Sequence, residues 1–135
     1  PLLIYDTEAI GYPTRPLSSV IDVAPTLLDR IGAHIPEHWS GLPLSRPATR
    51  RFVVMQARNT HAIIGQFGGE FFKYYRHREG DAEQLMKLTP DGAERAVSSL
   101  DAHAAVLAEL RNELELRVPA LKQERHAFGN RPATK

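Results

Sequence analysis

The chain has 135 residues, 42% of them hydrophobic, and its 17 lysines and arginines balance 16 acidic residues to a formal net charge of +1. This balance gives no electrostatic case for nucleic acid as a partner, because nucleic-acid-binding domains carry an excess of basic residues. Cysteine is absent, which excludes disulfides, thiolate metal sites and a cysteine nucleophile. No apolar run approaches the roughly 20 residues that a membrane-spanning helix needs. The length and composition are sufficient for one compact domain with a modest core.

The first residues, PLLIY (1–5), form a continuous apolar run typical of a central strand buried on both faces. Such a strand needs neighbours in a sheet, and the rest of the sequence offers no obvious ones. We therefore expect the chain to be a piece of a longer protein. Residues 6–16, with Gly11, Pro13 and Pro16, are predicted to form a loop.

The stretch SVIDVAPTLLDRIG (19–32) has the pattern of an amphipathic helix interrupted by Pro25. Ser19 and Asp22 have the spacing of a reciprocal N-terminal cap. A proline costs about 3 kcal/mol inside a helix but almost nothing at the first helical position. We therefore expect the helix to start at Pro25, and Gly32 to end it with a left-handed cap.

The expected helix, residues 25–31, is predicted to face a core with its apolar side. Its inward-facing residues are predicted to be Leu27, Leu28 and Ile31. A short turn before it is predicted to pack inward through Val20, Ile21 and Val23. Asp22 and Asp29 lie seven residues apart, but the proline between them argues against a shared face. Capping and solvated roles are the expected ones for both carboxylates.

The next segment, residues 33–47, carries three prolines and the only tryptophan, Trp39, and is predicted to be an extended loop. Two leucines are expected to anchor it, Leu42 and Leu44. Within it, His34 and His38 have the i, i+4 spacing of metal ligands on a helix. The proline between them argues against a helix, so we interpret both as exposed loop histidines.

Three strand-like segments follow and predict a small antiparallel sheet of three to four strands. Their ranges are 51–57, 61–67 and 70–76. Gly68 and Gly69 predict a hairpin turn between the last two, because glycine accepts positive φ. A further extended piece covers 84–88 and leads into a turn at 89–92.

A long helix is predicted to begin near Ser98 or Ser99 and to stop at Pro119. Its apolar stripe comprises Leu100, Ala104, Leu107, Leu110 or Arg111, Leu114 and Val118. The heptad spacing of three leucines would suit an oligomer seam, but two heptads are too few for a coiled coil, so we expect packing on the sheet. His103 is expected on the exposed polar side, and residues 122–135 as a flexible tail.

No catalytic constellation can be assembled from these residues. No serine sits in a Gly-x-Ser-x-Gly elbow, and no glycine-rich loop of the kind that cradles phosphate is present. The polar stretch RNTH (58–61), between two strands, is the best candidate for substrate contact, through Arg58 and His61. A plain hairpin loop is the simpler interpretation.

One ordered series of motifs runs through the chain: PLLIY (1–5), VIDVAPTLLD (20–29), then GLPL (41–44), the strands and the turn near residue 90. This order resembles the C-terminal portion of the sulfatase family, within the alkaline phosphatase superfamily, and the resemblance covers about residues 1–117. The motif positions that carry it are Asp22, Pro25, Thr26, Gly32 and Gly41.

Two segments depart from the family pattern. Sulfatases usually have Glu-Leu-Tyr-Asp-Leu and Asp-Pro-x-Glu where this chain has QLMKL (84–88) and PDGAE (90–94). With EHW (37–39), these departures are also similar to the envelope branch of the superfamily, which transfers phosphoglycerol or phosphoethanolamine. Both branches stay open at this point.

The resemblance implies a fold in which this chain is the α+β C-terminal part of an α/β alkaline-phosphatase-like enzyme. Residues 1–47 would close the catalytic α/β domain, with the opening strand and the Pro25 helix belonging to the parent sheet. Residues 48–121 would form a subdomain of antiparallel sheet and helix, and residues 122–135 a tail.

The resemblance implies, for the complete protein, a metal-dependent ester hydrolase or transferase. An upstream formylglycine or threonine would attack sulfur or phosphorus beside a divalent metal, Ca²⁺, Mg²⁺, Mn²⁺ or Zn²⁺. In the family these groups lie upstream of a strand like residues 1–5, so no catalytic residue, metal ligand or cofactor carries over to this chain. We expect it to be inactive alone.

The resemblance also implies partners and a location. The expected partner is the rest of the catalytic domain, in the periplasm or cell envelope, with membrane contact only through an N-terminal segment outside this chain. The isolated piece is expected to form a homodimer through apolar faces. A free-standing dimerisation or binding module is the alternative.

Overall fold

The structure, a computed structural model, describes residues 12–13, 15–47, 50–57, 59–77 and 82–129, with the backbone alone from residue 119 onward. The predicted PLLIY strand and Arg58 lie outside the described residues. The chain divides into two compact units, Pro1–Arg51 and Phe52–Lys135. We call them the helix–loop unit and the sheet–helix unit.

The helix–loop unit contains one continuous helical run. A 3₁₀ turn over Val20–Asp22 leads directly into α1, Val23–Arg30. The prediction that the helix starts at Pro25 is therefore wrong, because Pro25 lies within the first turn of α1, where backbone N–H groups have no intrahelical acceptor and a missing one costs little. Gly32 ends the helix with φ of 68°, which confirms the predicted left-handed cap.

The burial of α1 is the reverse of the predicted one. Asp22, Pro25 and Thr26 are buried, whereas Leu27 is 61% exposed and Ile31 75% exposed. The preceding turn is also turned outward, with Val20 82% and Ile21 48% exposed. The inward predictions for these four apolar residues are wrong; Leu28 and Val23 are half-buried. The reason is that this unit places a loop outside regular secondary structure against the helix. The backbone N–H groups of Leu42 and Leu44 in that loop need polar acceptors, which the helix supplies.

The sheet–helix unit is built on a five-stranded antiparallel sheet in chain order. Its strands are β1 Phe52–Gln56, β2 Thr60–Phe67, β3 Glu70–His77, β4 Glu83–Leu88 and β5 Glu94–Ala96. The mixed α+β class is confirmed. Gly68 and Gly69, with φ of 58° and 85°, form the predicted turn between β2 and β3.

The fifth strand goes beyond the predicted three to four. Its three exposed residues, ERA, carry no apolar alternation that sequence reasoning could detect. Contacts from its neighbours define it: Leu88 pairs with Glu94, and the Thr89 N–H donates to the Ala93 carbonyl at 2.9 Å. The strand thus depends on the turn that precedes it.

A second helix, α2, packs on the sheet. It spans Ala104–Gly129 after a 3₁₀ turn at Asp101–His103 and continues past Pro119, so the predicted stop there is wrong. A proline costs a long helix about 3 kcal/mol without having to end it. Leu110 and Leu114 are fully buried in the core with residues of β2, β3 and β4, which confirms packing on the sheet.

The N-terminal end of α2 differs from the prediction. Leu100 is 48% exposed and lies outside the core. His103, expected to be exposed, is half-buried, with its ring 5.4 Å from that of Phe72 and its Nδ1 3.0 Å from the Ser99 carbonyl oxygen. An imidazole presents an apolar ring face as well as polar nitrogens, so it can pack at the edge of a core.

Candidate functional site

Three polar side chains of the helix–loop unit face one loop. Asp22, Thr26 and Asp29 are spaced by four and three residues, which places them on one face of a helix. All three bind residues of the loop 41–46. We call this set of contacts the helix–loop clamp. The expectation that Pro25 separates Asp22 from Asp29 is wrong, because the helical run continues through the proline.

Asp22 is the centre of the helix–loop clamp and is fully buried. Its carboxylate accepts the backbone N–H groups of Ser19 and Leu42, each at 2.8 Å, and Arg50 Nη2 at 2.7 Å. The contact with Ser19 confirms the acidic half of the predicted cap. The contacts with Leu42 and Arg50 were missed, because nothing in the local pattern links residues 20 and 28 positions apart.

Thr26 continues the clamp one turn later and is 2% exposed. Its hydroxyl donates to the Asp22 carbonyl at 2.5 Å and accepts the Leu44 N–H at 2.8 Å. Leu44 itself is buried, as predicted for a loop anchor, and Leu42 is half-buried. A buried hydroxyl with both a donor and an acceptor satisfied is well suited to hold a loop against a helix.

Asp29 forms the outer end of the clamp. Its carboxylate accepts hydrogen bonds from the Ser45 hydroxyl and from the Arg46 guanidinium. The hydrogen bond from Ser45, followed by that from Arg46, lowers the pKa of Asp29 below its ordinary value. Arg15 adds a further tie by donating to the carbonyl groups of Pro43 and Arg46.

Gly41 makes the closest approach between loop and helix. A Cβ added there would lie 2.1 Å from the carbonyl oxygen of Ile21 and 2.8 Å from Cγ of Pro25. The first contact is with backbone, which cannot rotate away, so only glycine fits. The motif residues Asp22, Pro25, Thr26 and Gly41 therefore meet in one place, and Gly32 ends the same helix. Each of these residues has a structural role, either in a hydrogen bond or close contact between helix and loop or in ending the helix.

The second sequence candidate was the polar stretch between β1 and β2. Arg58 lies outside the described residues. His61 is within β2, only 5% exposed, and stands opposite Gln56 and Arg76 in the sheet. The Ala57 N–H donates to the Thr60 carbonyl at 2.9 Å and closes a tight hairpin turn. This geometry favours the plain hairpin interpretation, and substrate contact through Arg58 and His61 stays a prediction.

A polar cluster that sequence reasoning missed lies between the sheet and α2. The hydroxyl of the fully buried Tyr74 donates to Glu83 Oε1 at 2.7 Å, and Arg111 Nη2 donates to Glu83 Oε2 at 2.5 Å. Burial, followed by the hydrogen bond to Glu83, raises the pKa of Tyr74 to about 12. Hydrogen bonds from Tyr74 and then Arg111 lower the pKa of Glu83. The charges of Glu83 and Arg111 pair with each other, which indicates a structural role, and the buried Arg111 Nε has no hydrogen-bond partner in the described part of the chain.

The described residues do not form a site for the divalent ion that the family resemblance implies. Among them, no three His, Cys, Asp or Glu side chains are grouped closely enough to hold a metal. No helix in the described part of the chain is long and apolar enough to cross a membrane. The hydrogen bonds above describe what the helix–loop clamp does: its polar side chains bind the loop 41–46.

Comparison of the chain with protein-family models, with curated proteins and with solved structures finds no match. Any assignment of function depends on the motif residues and on the contacts that they make in the structure.

Proposed function

We propose that this chain is the C-terminal part of a sulfatase-like enzyme, a metal-dependent hydrolase of sulfuric esters, and that it supplies scaffold rather than catalytic groups. The observation that carries the proposal is an exposed apolar stripe on the helical run of the helix–loop unit. The stripe consists of Val20, Ala24, Leu27 and Ile31. Their spacing of four, three and four residues places them on one face. We call this surface the α1 stripe.

The α1 stripe is unusual for a helix of this length. Short helices gain most of their stability from burying an apolar face. In this helical run the buried residues are Asp22, Pro25 and Thr26, while Leu27 and Ile31 are 61% and 75% exposed. Contiguous exposed apolar residues mark surfaces that contact something else. This supports a helix that packs against another part of a larger protein, which in the sulfatase family is the catalytic sheet.

The helix–loop clamp supports the same proposal from the opposite side of the helix. Asp22 and Thr26 hold the helix and the loop together by accepting the backbone N–H groups of Leu42 and Leu44, and Gly41 lets the two backbones come close. A helix fixed in this way presents the α1 stripe as a preformed surface, so little conformational entropy is lost when the stripe is covered. The motif that carries the family resemblance is thus explained as scaffold.

In the proposed enzyme the nucleophile and the metal ligands come from outside this chain. The divalent ion, when bound there, polarises the ester and stabilises developing negative charge. The residues described here hold the helix against the loop in one unit and α2 against the sheet in the other. The isolated chain is accordingly inactive, and the complete protein works in the periplasm or cell envelope.

The first test is the activity of the complete gene product that contains this segment. It is assayed with an aryl sulfate and an aryl phosphate diester, each with and without a chelator. Sulfate release that the chelator abolishes supports the proposal. Phosphodiester cleavage without sulfate release supports the envelope phosphotransfer branch instead, and inactivity on both substrates leaves a lipid-linked substrate or a binding role for this chain.

The second test asks whether the α1 stripe is buried in the complete protein. Leu27→Gln is compared with Leu116→Gln, because the two leucines are similarly exposed in this chain, at 61% and 65%. We expect Leu27→Gln to lower the melting temperature of the complete gene product and Leu116→Gln to leave it almost unchanged. Equal, small changes in melting temperature for the two variants would show that the α1 stripe stays exposed in the complete protein, which would contradict the scaffold role.

The α1 stripe also favours one alternative, a free-standing dimerisation module. On this alternative the stripe of one chain covers that of a second. The isolated chain is expected to dimerise on both proposals, so its sedimentation over a range of concentrations is combined with the activity of the complete gene product. A dimer that Leu27→Gln abolishes, together with an inactive complete gene product, favours the module. A monomer at all concentrations contradicts it.

A further inference from the structure

We draw no further inference here: the strongest candidate, the exposed apolar stripe of Val20, Ala24, Leu27 and Ile31 on the helical run of the helix–loop unit, already carries the proposed function, and nothing in the described residues shows what else covers it.

Discussion

The two units of this chain differ in how polar their buried side chains are. The sheet–helix unit has an apolar core in which Ile63, Leu110 and Leu114 are fully buried. The helix–loop unit buries Asp22 and Thr26 and exposes the α1 stripe. A buried carboxylate is tolerated only when its hydrogen bonds are complete, as those of Asp22 are. The sheet–helix unit thus resembles a self-sufficient domain. On the function proposed above, the helix–loop unit resembles a layer that another part of a protein covers.

The two units can be followed separately during urea unfolding. Trp39, the only tryptophan, lies in the helix–loop unit, so its fluorescence reports on that unit. Far-UV circular dichroism is dominated by the sheet and α2. Each prediction below uses one or both of these signals. A variant that shifts both transitions equally would show that the two units unfold together and would contradict the comparison.

Asp22→Ala has the largest expected effect. It removes the carboxylate that accepts the N–H groups of Ser19 and Leu42 and the guanidinium of Arg50, which then keeps only the Ser40 carbonyl at 3.3 Å among the described residues. Removing one partner of a buried ion pair costs about 3–5 kcal/mol. We expect the Trp39 transition to move to much lower urea while the dichroism transition changes little. Asp29→Ala is the matched control at the outer end of the clamp, where Arg46 is largely exposed, and should shift the Trp39 transition less.

Leu114→Ala probes the apolar core of the sheet–helix unit. The side chain is fully buried, and truncation of such a leucine costs about 2–5 kcal/mol. We expect the dichroism transition to move and the Trp39 transition to stay. Leu116→Ala on the same helix is the control, because that leucine is 65% exposed and its truncation should cost less than about 0.5 kcal/mol. Similar losses for the two variants would contradict the packing of α2 described here.

Gly41→Ala and Gly65→Ala compare the tightest contacts of the two units. The added methyl group at Gly41 meets the backbone of Ile21 at 2.1 Å, whereas at Gly65 it meets ring atoms of Phe52 and Phe67 at 2.8 and 2.9 Å. Overpacking costs about 1–3 kcal/mol. Because rings can shift more easily than backbone, we expect the larger loss for Gly41→Ala, seen by Trp39 fluorescence. A larger loss for Gly65→Ala, seen by dichroism, would reverse this ranking.

Tyr74→Phe tests the polar cluster through its pH dependence. The hydrogen bond from Tyr74, and then that from Arg111, lowers the pKa of Glu83 in the folded chain. Stability from this interaction is therefore present above the unfolded pKa of about 4.3 and is lost as the pH falls through the folded value. We expect the urea midpoint, followed by dichroism, to fall less in Tyr74→Phe than in the parent chain between about pH 5 and pH 3.

The matched control for this pH experiment is Tyr75→Phe. Tyr75 donates to Glu94, whose pKa is lowered first by Lys73 and only then by Tyr75. The urea midpoint of Tyr75→Phe should therefore fall with acid pH almost as it does in the parent chain.

At alkaline pH the raised pKa of Tyr74, about 12, keeps its hydroxyl neutral in the folded chain. The contribution of Tyr74 to stability is therefore lost as the pH rises from about 10 toward that value. Identical profiles for the two variants would contradict the cluster.

Leu27→Gln in the isolated chain has the smallest expected effect. The side chain is 61% exposed, so the substitution should change the free energy of unfolding by less than about 0.5 kcal/mol. The Trp39 transition checks this at two protein concentrations tenfold apart. A large loss that appears only at the higher concentration would indicate self-association through the α1 stripe. A large loss at both would mean that the stripe is buried within the chain.

Local patterns were sufficient for most secondary structure. β-branched and aromatic residues predicted the first three strands, the Gly68-Gly69 pair predicted their tight hairpin, and Gly32 predicted the helix end. These features depend on backbone preferences that neighbouring residues set. The three-residue strand β5 lacked such a pattern, and the start of α1 was misplaced because a first helical turn accepts proline at more than its first position.

The sequence by itself determined strands β1 to β3, the Gly68-Gly69 turn and the end of α1 at Gly32, because those features depend on φ preferences and on the spacing of apolar residues. Only the tertiary structure decided which face of α1 is buried and what Asp22 does. Its partners Leu42 and Arg50 lie 20 and 28 residues away along the chain, and no local spacing encodes such contacts. Burial is a property of the whole fold, since a face turns inward only when some other segment supplies the groups that match it.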